Sequence, residues 1–286
     1  MNQDQDIIEY ISHRINNFSK RQRLIANYIV THYDRAAYMT ASRLAEEVGV
    51  SESTVVRFAT EVGFSGYQKL QRSLQEVTRT QLTSMQRMEV ASRRIGMGSV
   101  LEDVLKSDID KLEKAMSEVD ERQFHQIVDT LLRARHIYIL GVRSSATLAS
   151  FASINFNLVF EHVSLVQTKV AEEMLEQLLR VKNGDVVFGI SFPRYSKTMI
   201  KALEFAKKRG ATVIVMTDSV HSPIIKDADY SLITGSGDTT SFADSLVAPL
   251  SVLNALICAV GMRKKQEITK TFEQLEEIWD EYEVYN

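Results

Sequence analysis

Ser53, Val56, Arg57 and Thr60 stand at i, i+3, i+4 and i+7 within "VGVSESTVVRFATEVGF" (residues 48–64), so a helix there carries all four on one side. Laid in a major groove, the arginine can bridge guanine O6 and N7, and its small neighbours can meet bases or thymine methyls. Ser51 and Thr54, beside the free N–H groups of a helix start, suit phosphate contacts that set register. Lys69 and Arg72, in and after "GFSGYQKL", add attraction without sequence preference.

A second set of residues suits a different partner. "HIYIL" (136–140) runs into "GVRSSATLA", and "VVFGI" (186–190) runs into "SFPRYSKTM". Each reads as strand, hydroxyl-rich loop, helix. Ser144 and Ser145 in the first loop, and Ser191 and Ser196 in the second, can donate hydroxyl hydrogen bonds at the carboxyl ends of strands, where open parallel sheets bind ligands. Helix starts at the same place favour an anion, and a phosphate with a polyhydroxyl body fits this lining best. The same serines also suit plain helix capping, but two matching loops favour one shared site. "GVRSSA" lacks the later glycines of a dinucleotide fingerprint, and no G-K-[ST] stands where a Walker A loop needs it.

Catalysis has weaker support. Glu172, Glu173, His162 and His221 are available as general bases, but nothing in their setting singles one out. Glu172 and Glu173 lie in "AEEMLEQLL", which reads as a solvated helix face. No His/Cys cluster has metal-ligand spacing, and Cys258 falls in an apolar helix, where a buried place is expected. Neither a cofactor nor a metal is expected.

The elements that must hold these residues fall into two halves. Up to about residue 95 every periodic stretch is helical. Helices over 41–48 and 52–61, turning at Gly49 with Ser51 as N-cap, bring Leu44, Ala45, Val48, Val50, Val55 and Phe58 into one small core. "SKRQRLIANYIVTHY" has a capping box at Ser19 and Gln22, and its Leu24, Ile25, Tyr28 and Ile29 are expected to face a core. Beyond residue 130, "HIYIL", "VVFGI", "TVIVM" (212–216) and "YSLIT" (230–234) alternate with helical segments, the pattern of a parallel sheet with helices on both faces. The fold class is therefore α/β with an all-α head. We place the head at residues 1–77, a linker at 78–98 and the α/β body at 99–286.

Bulk properties set the bounds. The chain has 286 residues and one cysteine, which excludes an intrachain disulfide and fits a reducing compartment. Residues 1–95 hold 13 Lys/Arg against 10 Asp/Glu, and the rest hold 21 against 27, a mildly basic head on an acidic body. The start lacks the basic and apolar blocks of a signal peptide, and the most apolar run is too short to span a bilayer. A cytoplasmic protein with no membrane partner is expected.

On these residues the head, with "LAEEVGVSESTVVRFATEVGFSGYQKL", resembles the helix–turn–helix domain of RpiR/MurR-type transcriptional regulators. The body resembles the SIS (sugar isomerase) domain, their phosphosugar-binding module. The resemblance runs from about residue 5 to 275. It implies operator DNA and a phosphorylated sugar as partners, and a homodimer or homotetramer in which "FADSLVAPLSVLNALICAVGM", apolar on almost every side, is covered by pairing. Ser144 and Ser145 match the first SIS serine loop. Ser191 matches the first serine of the S-x-S-G-x-T second loop, and Ser196 stands at its threonine. Pro193 and Arg194 replace Ser-Gly there. Proline removes a hydroxyl and a backbone donor, while Arg194 either restores affinity as a bidentate phosphate ligand or blocks the pocket. SIS domains also occur in sugar-phosphate isomerases, and such an enzyme is the alternative reading.

Overall fold

The computed structural model describes residues 7–81, 85, 88, 99–168, 170–235 and 244–284. The chain divides into two compact units, Met1–Glu89 and Val90–Asn286.

The first unit is helical: α1 (Ile7–Arg14), a 3-10 turn (Ile15–Asn17), α2 (Lys20–Thr31), α3 (Tyr33–Ala36), α4 (Ala41–Val48), α5 (Glu52–Glu61) and α6 (Tyr67–Gln81). Ser19 starts α2 with the reciprocal box its sequence predicts. Its Oγ accepts from the Gln22 N–H at 3.4 Å, and the Gln22 side chain accepts from the Ser19 N–H at 3.1 Å. Ile11, Ile25, Ile29, Leu44, Val55, Phe58, Leu70 and Leu74 form the buried core. Phe18 meets Phe58 edge-on at 5.2 Å between ring centroids. Leu24 departs from expectation, being 47% exposed. The buried stripe of α2 runs through Ile25, Ala26 and Ile29, which turns Leu24, one residue step the other way, toward solvent. Helix α6 continues to Gln81, past the expected start of the linker at residue 78, and most of that linker lies outside the described residues.

The second unit begins with α7 (Val100–Glu118) and α8 (Glu121–Leu132). It then alternates β1 (Ile137–Gly141), α9 (Ser145–Asn157), β2 (Val163–Val166), α10 (Ala171–Gln177), β3 (Val186–Ile190), α11 (Lys197–Lys208), β4 (Thr212–Thr217), a 3-10 turn (Pro223–Ile225) and β5 (Tyr230–Ile233). It ends in α12 (Val247–Arg263) and α13 (Lys265–Glu281). The strands form one parallel sheet in the order β2-β1-β3-β4-β5. β2 was not expected. "VSLV" is a four-residue, half-buried edge strand with a serine inside it, as is β5 at the other edge, and neither has the continuous apolar run that marks a strand buried on both faces.

Alternate residues send the sheet into two cores. Ile137, Ile139, Phe188, Ile190, Ile214 and Met216 pack with α8, α9 and α12, while Tyr138, Leu140, Val187, Val213 and Val215 pack with α10 and α11. Helix α12 buries Ala248, Leu253, Leu256 and Val260 on the side facing α7, α8 and α9. Its other side is not covered among the described residues, and Met262 is 80% exposed. Cys258, expected inside, is exposed for the same reason, because it lies four residues from Met262 on that outer side. Among the described residues no single helix is long and apolar enough to cross a membrane.

At the amino edge of the sheet, fully buried Asp185 accepts from Arg135 and from the Lys182 N–H. His136 stacks on Tyr138 at 4.2 Å, with its Nε2 2.9 Å from Ser164 Oγ. Burial holds the His136 pKa below its ordinary value, with His162 and Arg135 acting the same way and Asp185 opposing. A depressed histidine means that the unfolded chain binds the proton more readily. Stability is therefore full above the ordinary histidine pKa of about 6.5 and is lost as pH falls below it. Thermal melts from pH 7.5 to 5 should show this loss, and His136→Gln should flatten the dependence.

Candidate functional site

In the first unit, Thr40 caps α4 by accepting from the Arg43 N–H at 3.2 Å. Gly49 ends α4 with φ of +71°, and no atom lies within 4 Å of where a Cβ would stand. Glycine is needed there for its conformation, not for space. Ser51 is extended at the N-cap position of α5 but makes no side-chain cap. Its Oγ instead lies 3.0 Å from Ser53 Oγ and 2.8 Å from Thr54 Oγ1, so a hydroxyl cluster stands at the helix start.

Val55, Phe58 and Ala59 turn inward, leaving Ser53, Val56, Arg57 and Thr60 exposed on one face of α5. The Arg57 guanidinium folds back along its own helix, with Nε 3.3 Å from the Ser53 carbonyl and Nη2 3.5 Å from Ser53 Oγ. Thr60 Oγ1 donates weakly to the Val56 carbonyl at 3.4 Å. Lys69 and Arg72 are exposed on α6. This is a short helix on a left-handed glycine turn, presenting one arginine among small residues. It has the dimensions and chemistry to enter a major groove.

In the second unit the sheet order matters most. β1 and β3 are neighbours, with Gly141 paired to Ile190 at their carboxyl ends. From there the chain runs outward both ways, to β2 on one side and to β4 and β5 on the other. The helices after β1 and β3, α9 and α11, lie against opposite faces. That divergence makes the place between the two loops the switch point of a doubly wound sheet, where open α/β sheets bind ligands.

Ser144 and Ser145 stand in the loop and helix start after β1, and Ser191, Arg194 and Ser196 in the loop after β3. Ser145 and Ser191 are each 3% exposed. Ser191 is tied down by its N–H, which donates to the Met216 carbonyl at 3.1 Å. Ser144 is exposed and makes no side-chain cap, whereas Ser196 caps α11 by accepting from the Met199 N–H at 3.4 Å. Gly141 permits the close approach of α9, since a Cβ there would lie 2.8 Å from Ala149 Cβ. Each loop also holds a non-glycine residue in the left-handed region, Arg143 at φ +58° and Arg194 at φ +69°. Backbone of this kind costs about 1–3 kcal/mol and gathers at ligand clamps.

The carboxyl edge carries further polar residues that the sequence reading did not single out. Asp218, 4% exposed after β4, accepts from Tyr195 OH at 2.7 Å and from Thr217 Oγ1 at 3.0 Å. Thr217 and Ser222 hydroxyls lie 2.9 Å apart. The strand–hydroxyl pattern of "TVIVMTDSVHS" was the available signal, the same one used for the two serine loops. Thr168, after β2, donates to the carboxylate of Glu173 in the first turn of α10, where Glu172 and Glu173 are exposed. His162 lies at the other edge of the sheet, lining a cavity of about 360 Å³ with Arg135, Phe160, Lys264 and Glu267, away from the serine loops. Among the described residues no group of three or more His, Cys, Asp or Glu could hold a metal ion.

Comparison with known proteins agrees with this division. A family described as the helix-turn-helix domain, rpiR family, matches residues 5–81, and the SIS domain family matches residues 130–259. An uncharacterized HTH-type transcriptional regulator of Caldanaerobacter subterraneus subsp. tengcongensis is 24% identical over 284 residues, 96% of each protein. Among solved structures, the Vibrio vulnificus NanR protein complexed with ManNAc-6P superposes with a TM-score of 0.61 at 20% identity, covering 96% of this chain and 98% of that one. The sugar isomerase domain of an RpiR transcription factor from Sphaerobacter thermophilus gives 0.60 at 22% identity, over 63% of this chain and 99% of that one.

Proposed function

We propose, from the premise that this chain belongs to the RpiR-type helix–turn–helix transcriptional regulators with a SIS body, that it governs carbohydrate genes in response to a phosphorylated sugar. In this reading residues 1–77 form the DNA-binding head, with Ser53, Val56, Arg57 and Thr60 reading bases. Ser51, Thr54 and Lys69 hold phosphates. The body from residue 99 binds the effector through Ser144, Ser145, Ser191, Arg194 and Ser196 in the cytoplasm.

One observation carries the effector site: β1 and β3 are adjacent while α9 and α11 lie on opposite faces. Both serine loops and both helix starts then border one crevice, where a phosphate gains hydroxyl donors and two helix dipoles. A second copy of the chain completes the assembly. Leu101, Leu105, Ile109 and Met116 form an exposed apolar stripe along α7, and Met262 is exposed on α12, so two bodies have apolar surface to cover.

Operator titrations with and without a panel of sugar phosphates, N-acetylmannosamine 6-phosphate among them, test the effector. The active compound should shift operator affinity by about 1–3 kcal/mol, and operator should shift its affinity equally. Ser144→Ala should weaken that ligand without changing stability, because Ser144 caps nothing. Ser196→Ala should also lower stability by about 1 kcal/mol through its lost cap. Ligand binding that leaves operator affinity unchanged refutes the sensing role.

A further inference from the structure

We infer, resting on the proposed reading of bases by α5, that Tyr67, Gln71 and Gln75 are positioning residues for DNA reading, fixing the entry to α4 from α6. They stand at i, i+4 and i+8 on one side of α6. The Tyr67 hydroxyl and Gln71 Nε2 both donate to the Met39 carbonyl, each at 2.8 Å, and Gln75 Nε2 donates to the Ala37 carbonyl at 3.0 Å. These carbonyls belong to the turn that leaves α3 and leads into Thr40, the N-cap of α4.

Carbonyls in a turn between helices have no partner in a helical ladder, and burying one unsatisfied is costly. Here the partners come from another helix of the head, so α6 and the turn are held in one register. Leu70 and Leu74 also bury α6 in the core, but apolar contact is non-directional and leaves sliding and rotation open. Three directed bonds do not. Burial pushes the Tyr67 pKa up to about 12, so its hydroxyl keeps its proton and remains a donor throughout the physiological range.

The consequence falls on α5. From Met39 the chain enters α4, turns at Gly49 and starts α5, so an error at the turn is carried to Arg57. Base contacts demand tight geometry, whereas phosphate contacts tolerate small displacements. Helix α6 is also the part of the head that runs on toward the body in sequence.

The test uses the full chain with Gln71→Met and Gln75→Met together, which keep length and packing but remove the donors. Affinity is measured for operator and for a scrambled duplex at one salt concentration, well below the melting temperature. The ratio of the two should fall about five- to tenfold, with scrambled-duplex affinity held within about twofold. A lowered melting temperature with an unchanged ratio overturns the proposal, because a merely structural role reduces both affinities alike. If the double variant does not fold, Gln75→Met alone, which leaves both donors on Met39, should give a smaller fall in the same ratio. An unchanged ratio in that variant counts equally against the proposal.

Discussion

Arg57→Ala should weaken binding to the cognate operator by about 1–3 kcal/mol and relax preference at one base pair. Arg57 is the only side chain on the exposed face of α5 that can make two parallel hydrogen bonds to a guanine edge. In the free protein its guanidinium lies against Ser53 at 3.3 and 3.5 Å. Those bonds are long and exposed, so little is lost when the side chain swings away to a base. Lys69→Ala provides the contrast. It should lower affinity evenly across sequences and reduce the salt slope by about one. Fluorescence anisotropy with operator and point-mutated duplexes separates the two patterns. Unchanged operator affinity in the Arg57 variant would remove α5 from the groove.

How much of this could be read from residue order depended on how local the cause was. Gly49 and the flanking apolar positions announce the α4–α5 turn, because a left-handed residue and a helical repeat are both local. β1, β3 and β4 are buried as near-continuous apolar runs, and such runs are visible without knowing the neighbours. The edge strands β2 and β5 carry shorter, half-buried runs broken by a serine, and of the two only β5 is expected from residue order. The same distinction applies to helices. Periodicity groups Leu24 with Ile25 and Cys258 with its apolar neighbours, but it does not say which side finds a partner. Asp218 and Tyr195 join the carboxyl edge only through the strand order, which brings β3 and β4 side by side.

Leu105→Lys with Ile109→Lys should produce the largest change, turning the dimer proposed above into a monomer. Leu101, Leu105 and Ile109 are spaced four apart on α7 and are 73%, 53% and 54% exposed in the isolated chain. Apolar area buried between two bodies contributes about 25 cal/mol per Å². Two lysines at the centre of such a face replace that gain with two charges that would have to be desolvated. Two heads on one dimer bind a two-fold operator with the second contact made at high local concentration, which can raise avidity by about 10²–10⁴ over a single head. The variant should therefore lose operator affinity by a factor of that order while a half-site duplex is bound as before. Light scattering reports the assembly and the paired titrations report the heads. A wild-type monomer at micromolar concentration, or a variant that stays dimeric, would show that this face has another use. Loss of half-site binding would instead mean that the substitutions had damaged the head.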